Sequence, residues 1–383
     1  MNWFTNYFYG NQNNNINVEE VEKQFYLIGD DSDDSLVKVI VSLDGGGMRG
    51  YLTILLLKEI QELLEKDLGI TCHIIAGTST GGILAYSKLY DVSNDELLDM
   101  YRKFGKKIFP SSAMDVMHNI ISEGTLFSTK ELIKSLKDNF AGRDMSHRKG
   151  FVVTVAEDKC SHEKSAKVFA NYENPSTHLH DDSNVDVVDI LRSTAGIPGL
   201  FNQYENSKYI YYDGGFQYNC NLPIALIEAK ALYPNKKLLF ISLGTGYQKS
   251  ERVQYHFTND QTDSKVERFI NSLNSQGKPF LRSQQMVGSI FDLTKNLYRL
   301  YKEYLKMPKT SEILSKFLLD HRDDPDIFTY RFDCQLEFPI NLHDSSDKAA
   351  EEMERSVKDY VNDPNNNFKK SLSNIKKLID LKQ

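Results

Sequence analysis

The chain alternates between short apolar runs and longer stretches with helical spacing. Val37–Leu43 reads Val-Lys-Val-Ile-Val-Ser-Leu, a β-branched run that predicts a buried strand. Apolar positions over 51–66 recur at helical spacing. A second short strand at 73–76 leads into a helix at 82–90. Ser93-Asn94-Asp95-Glu96 is a capping box that opens another helix, continuing through Phe104. Strands are expected at 151–155, 167–170 and 238–243, with 209–212 extended. Helices are expected at 187–194 and 224–232, the latter stopping before Pro234. Alternation of this kind implies an α/β layered fold with a largely parallel sheet.

The pattern weakens at both ends. Residues 1–35 include an Asn-rich stretch at 11–17 and an acidic one at 30–34. Neither buries enough apolar surface to offset its ordering entropy, so this segment is expected to be a flexible leader. Residues 36–250 form the expected core. From 251 to 383 a mostly helical extension is expected to pack on it. Its helical candidates are 290–307, 349–361 and 368–383, and the alternating run 328–338 fits an edge strand. The sequence contains no internal repeat.

Composition narrows the class. The 383 residues are 40% hydrophobic and 26% charged, which are globular proportions, and such a length buries a sizeable core. A formal net charge of −7 argues against a general nucleic-acid binder. No apolar run spans a bilayer, and the first ten residues lack the basic region of a secretory signal. Cys72, Cys160, Cys220 and Cys334 lie far apart, which suits free thiols in a reducing compartment. A cytoplasmic protein is expected, with peripheral membrane contact left open.

Candidate chemistry starts where the first strand ends, at Asp44-Gly45-Gly46-Gly47-Met48-Arg49-Gly50. Glycines let backbone N–H groups approach a ligand, and a following helix N-terminus adds positive potential. Such a loop suits a phosphate or a developing oxyanion; a plain tight turn is the bland alternative. Gly45, Gly47 and Gly50 also fit the dinucleotide fingerprint. That fingerprint wants a carboxylate at the end of the next strand, where Ala76-Gly77 stands, so nucleotide binding is disfavoured.

The second strand runs into Gly77-Thr78-Ser79-Thr80-Gly81-Gly82 and then a helix. This is G-x-S-x-G in the strand–turn–helix setting of a nucleophile elbow. A serine nucleophile needs a base. Nine histidines are present, but the flanks of His178, His180 and His343 mark no catalytic loop. Asp213 follows the aromatic strand 209–212 and precedes Gly214-Gly215. Catalytic groups gather at strand ends in α/β sheets, although Asp-Gly is also an ordinary turn dipeptide.

Together these residues resemble the patatin-like phospholipase family, with its D-G-G-G-x-R-G loop, G-x-S-x-G elbow and D-G-G/A motif. The same order is met here at 44–50, 77–81 and 213–215. Ser193-Thr194-Ala195-Gly196-Ile197-Pro198-Gly199-Leu200-Phe201 is similar to the family's segment before the base. Ser242-Leu243-Gly244-Thr245-Gly246 is similar to its strand-ending motif. The resemblance implies a three-layer fold, with a central, mostly parallel sheet between helices. It also implies a lipid acyl hydrolase of the phospholipase A type that acts on phospholipid or other acyl-lipid esters through an acyl-serine intermediate. By position, Ser79 is the expected nucleophile, Asp213 the proton acceptor, and Gly45, Gly46 and Gly47 the oxyanion donors. Arg49, Gly77, Gly81, Gly214 and Gly215 are supporting. No metal or other cofactor is implied. One departure is Asn219-Cys220-Asn221-Leu222-Pro223, two residues longer than the family's Asn-Asn-Pro; Gly196 and Ile197, where Ala is common, are another. Competing readings are a non-catalytic lipid-binding or scaffold protein that retains the site, and a lipid transacylase.

The tail offers one membrane candidate. Phe368, Leu372, Ile375 and Ile379 share a helical face among Lys369, Lys370, Lys376, Lys377 and Lys382. A basic amphipathic helix can lie on an anionic membrane. The favoured expectation is the plainer one, a helix packed on the body with a solvated basic face.

Overall fold

The computed structural model describes residues 36–248 and 317–380, apart from 110–111, 141–144, 146–147, 175, 182–184, 319 and 322. The expected leader (1–35) and the helix expected at 290–307 lie outside the described residues.

β1 (Val37–Leu43) is buried along its whole length. Every second side chain goes to a different core. Val37, Val39, Val41 and Leu43 join a large cluster, while Ile40 joins a smaller one on the opposite face. The strand is covered on both faces, so even Lys38 and Ser42, which flank Ile40 on the second face, are buried. α1 (Gly50–Leu64) follows β1, and a short helix, α2 (Leu68–Thr71), leads to β2 (Ile74–Thr78). Next come α3 (Thr80–Leu89), α4 (Asn94–Ile108), α5 (Ala113–Glu123) and α6 (Thr129–Phe140). The capping box acts as expected: the Ser93 side chain accepts from the Glu96 N–H at the start of α4. α5 and α6 were not anticipated from the sequence.

β3 (Lys149–Asp158), β4 (Lys164–Ala170), α7 (Val187–Thr194), β5 (Tyr204–Glu205) and β6 (Tyr209–Asp213) follow. After α8 (Gly215–Tyr218) and α9 (Leu222–Leu232), β7 (Lys237–Leu243) pairs beside β1, and β8 (Tyr247–Gln248) is a short addition. The rest of the described chain is β9 (Ile327–Phe332), β10 (Gln335–Leu336), α10 (Asp347–Asn362) and α11 (Phe368–Asp380).

Among the described residues the main sheet has eight strands in the order β5-β6-β3-β2-β1-β7-β9, with β4 also on β3. The pairs β3–β2, β2–β1, β1–β7 and β7–β9 are parallel. The fold is therefore the expected mostly parallel sheet between helical layers. Of the run 328–338 expected as one edge strand, only the first half is β9, at the end of the strand order beyond β7 with Ile327 opposite Leu238; Gln335–Leu336 pair instead with β8 in a separate two-stranded sheet.

α11 settles the plainer reading of the tail. Phe368, Leu372 and Ile375 are buried in the large core, and Phe332 and Tyr360 both meet the Phe368 ring edge-on at 5.3 Å. Its apolar face is taken by the body. Among the described residues no helix is long and apolar enough to cross a membrane.

Candidate active site

The elbow is built from steric necessity. Ser79 sits between β2 and α3 with φ 55° and ψ −122°. A non-glycine residue in such a conformation costs about 1–3 kcal/mol and persists only where its surroundings impose it. Here they do. A Cβ at Gly77 would lie 2.0 Å from the Gly81 carbonyl oxygen, and one at Gly81 would lie 2.2 Å from the Leu43 carbonyl oxygen. Neither position has room for any side chain, so the strand and helix can cross at this tight angle. Thr194 fixes the turn from outside. Its hydroxyl accepts from the Ser79 N–H at 2.9 Å and donates to the Val153 carbonyl at 2.6 Å.

Asp213 reaches the same place along a different strand. β4 occupies one edge of β3 over Phe151–Glu157, so β2 and β6 share the other edge. β2 runs parallel to β3 and stops with Thr78 opposite Val153. β6 runs antiparallel and stops with Asp213 opposite Thr154. Two strands thus end head to head at neighbouring positions, and Ser79 and Asp213 stand at that junction. Gly214 fits into it: a Cβ there would lie 2.3 Å from the Val153 oxygen and 3.0 Å from Thr78 Cγ2. Asp213 is fully buried, and its Oδ1 accepts from the Gly215 N–H at 2.7 Å. Ser79 is 5% exposed.

The glycine loop lies against the elbow. A Cβ on Gly45 would come within 3.3 Å of Ser79 Cβ and 2.4 Å of Asn219 Oδ1. Gly47, at φ +56°, leaves a Cβ only 2.2 Å from the Leu342 oxygen, and a Cβ on Gly46 would strike Thr245. The Gly45 N–H donates to the Asn219 carbonyl at 3.2 Å and the Met48 N–H to the Leu342 carbonyl at 2.7 Å. Among the described residues, none accepts a hydrogen bond from the N–H of Gly46 or Gly47. Arg49 is turned away along the loop, where Nη1 donates to the Gly246 carbonyl at 3.4 Å.

Several residues hold this arrangement through ties that the sequence does not mark. Asn221 Nδ2 donates to the Leu43 carbonyl at 2.9 Å, and its Oδ1 accepts from the Ser42 hydroxyl at 2.9 Å. The extended Asn219–Pro223 segment thus stitches α9 to the end of β1. Beneath the loop, Asp44 Oδ2 pairs with Arg331 Nη2 at 2.6 Å, and the same nitrogen meets Asp333 Oδ2 at 2.8 Å. Arg331 Nη1 donates to the Ser242 hydroxyl at 2.8 Å. All three charged groups are buried. Loss of water pushes the Asp44 carboxyl up to about 6, against the opposing pull of Arg331. Neighbouring carboxylates hold Arg331 firmly charged despite its burial.

An apolar slot opens beside Ser79. It has a volume of about 70 Å³ and is walled by Met48, Ile83, Phe104, Leu132, Ile197 and Phe201, among others. Ala195, Ile197, Leu200 and Phe201 come from the segment after α7, so the unusual Ile197 is a wall residue. Thr80 and Tyr101 line the slot with their hydroxyls engaged to each other. His343 lines the slot, its ring 5.5 Å from that of Phe127. His180 is elsewhere, 2.9 Å from the buried Glu228 carboxylate.

Residues 41–226 match the family model described as patatin-like phospholipase. Calcium-independent phospholipase A2-gamma from Oryctolagus cuniculus is 28% identical over 245 residues, covering 61% of this chain and 31% of that protein. The cGAMP-activated phospholipase of Vibrio cholerae serotype O1 is 30% identical over 175 residues, 42% of this chain and 48% of that protein. The chain thus spans about a third of the length of the first of these relatives. Among solved structures, VipD from Legionella pneumophila aligns at a TM-score of 0.31 with 10% identity, over 84% of this chain and 66% of that one. That likeness is too slight to carry an argument.

Proposed function

We propose, from the match of residues 41–226 to the patatin-like phospholipase model, that this protein hydrolyses fatty-acyl esters of phospholipids or related acyl lipids through a Ser79–Asp213 dyad. The observation that carries the reading is the head-to-head ending of β2 and β6 on one edge of β3, beside the glycine loop. The apolar lining of the slot next to Ser79 suits the first few carbons of an acyl chain, with polar contacts left to the reacting ester.

In this reading Ser79 Oγ attacks the ester carbonyl and its proton passes to the Asp213 carboxylate. The tetrahedral oxyanion is met by the N–H groups of Gly46 and Gly47, while Gly45, tied to Asn219, keeps the loop beside Ser79. One such donor is worth about 3–4 kcal/mol of barrier. As the carbon–oxygen bond to the leaving alcohol breaks, Asp213 returns the proton to that oxygen. Water then attacks the acyl-serine with Asp213 again as base, releasing the fatty acid and restoring the serine.

The test compares wild type with Ser79→Ala and Asp213→Asn on a short-chain ester and on mixed phospholipid, glycolipid and triacylglycerol substrates. Each variant is expected to lose at least about 10³-fold in turnover while unfolding as wild type does. A fluorophosphonate probe should label wild type at Ser79 and leave Ser79→Ala unlabelled. Undiminished ester hydrolysis by Ser79→Ala would overturn the assignment. Product analysis of the same mixtures separates hydrolysis from acyl transfer.

A further inference from the structure

α5 differs from the other helices on the large core in what it leaves uncovered. Met114 is 81% exposed and Ile121 57%. Seven residues apart, they share one helical face, with half-buried Met117 between them. Single exposed apolar side chains are ordinary, but a row of them marks a contact surface. The opposite face holds the helix in place. Ile120 and Asn119 are buried, and Asn119 Nδ2 donates to the Leu126 carbonyl at 3.3 Å.

The helix is joined directly to the slot. The chain enters it from Ile108 and Phe109, both slot residues, and leaves it towards Phe127, whose ring meets that of Phe109 edge-on at 5.0 Å. Lysines stand at both ends: Lys103, Lys106 and Lys107 are exposed on the last turns of α4, and Lys130 and Lys134 on the first turns of α6. Lys106 shares its charge with Asp347 at 3.6 Å. The acidic groups of α5 are engaged locally. Asp115 accepts from the Ser112 hydroxyl, and Glu123 accepts from Ser128 and from the N–H groups of Thr129 and Lys130.

We propose that α5 is an interfacial helix that docks on an anionic lipid surface. Met114, Met117 and Ile121 enter the boundary between headgroups and acyl chains, the flanking lysines meet anionic headgroups, and the slot is brought beside its substrate. A helix of 11 residues is roughly 16 Å long and 10 Å wide. That footprint falls well short of the roughly 800 Å² per partner of a standard protein interface, whereas a lipid surface has no such minimum. The purpose of the docking rests on the lipid-ester reading; the docking itself does not need turnover.

The experiment is co-sedimentation of the full chain with phosphatidylcholine vesicles, with and without phosphatidylserine, alongside hydrolysis of a soluble short-chain ester. Wild type should bind vesicles that contain phosphatidylserine, less tightly as salt rises. Met114→Gln/Ile121→Gln should weaken that binding at least about tenfold, with thermal unfolding and soluble-ester hydrolysis unchanged. Lys103→Gln/Lys107→Gln/Lys130→Gln should abolish the preference for phosphatidylserine, and this arm decides should the first variant fold poorly. Wild type that ignores vesicles, or variants that bind as wild type does, would overturn the proposal. So would a wild-type dimer that the double substitution dissociates, because that assigns the face to a second copy. Vesicle binding through α5 by a protein inactive on every ester would instead sink the hydrolase reading and leave this one standing.

Discussion

The glycine loop is held from two sides by regions of opposite character. On one side stand the elbow and the end of β6, each a short run of small residues around one proposed reactive group. On the other stand β9 and the segment after it, with no run that would draw attention. Yet Arg331 of β9 ion-pairs with Asp44 at the start of the loop, Asp333 accepts from the Gly246 N–H, and the Leu342 carbonyl caps the Met48 N–H. The proposed reactive groups are local in sequence, while a tie that holds the loop beside them comes from nearly three hundred residues away. An oxyanion site works only if its donors are fixed before the charge develops. On the proposed reading, β9 therefore serves the chemistry by holding the loop in place.

The sharpest way to break this comparison is to remove the distant cation. Arg331→Met leaves Asp44 and Asp333 buried without their partner and should cost about 3–5 kcal/mol of stability, measured by chemical denaturation. An unchanged midpoint would show that β9 is a passenger. Next in size is the loop itself. Gly46→Val drives a side chain into Thr245 and displaces a proposed donor, so kcat should fall roughly 10²–10³-fold with KM little altered. Unchanged turnover would remove the loop from the chemistry.

A smaller effect concerns pH. The Asp44 carboxyl titrates at about 6 in the folded protein, above its range in the unfolded chain. Between about pH 4 and 6 the folded chain holds a proton that the unfolded chain has released, so this group's contribution to stability falls as pH rises. The stability of wild type relative to Asp44→Asn should therefore drop by roughly 2–3 kcal/mol across that window. A flat difference would mean that Arg331 fully offsets the burial cost. Smallest is the brace on the elbow: Thr194→Val should cost about 1–3 kcal/mol by leaving the Ser79 N–H without its acceptor. Denaturation of that variant, with turnover measured in parallel, tells whether the brace serves the fold, the site or both.

Legibility followed the same division. β1 was readable residue for residue from its β-branched valines and isoleucine, despite Lys38 and Ser42 on one face. α4 was readable from its cap. α6 is harder to read because its apolar positions are interleaved with lysines and acids, and α5 because it keeps large apolar residues in the open. The amphipathic tail also fitted a membrane helix, and α11 takes the favoured alternative, packing its apolar face on Phe332 and Tyr360. Amphipathicity says that a face must be covered and not by what. Asn221 and Thr194 were visible as parts of motifs, yet their roles as ties became apparent only through their partners on β1, β2 and β3.

The sequence by itself determined the local geometry that brooks no substitution: the glycines that let β2 turn on Ser79, the glycine loop after β1, and the carboxylate at the end of a strand. Such constraints act over a few residues, so they leave motifs. Only the tertiary structure decided that β2 and β6 meet end to end on β3, that Arg331 neutralises Asp44, and which apolar helix face stays uncovered. Those outcomes depend on pairings between segments far apart in the chain, where one buried charge or one apolar stripe fits many partners equally well until the sheet order selects among them.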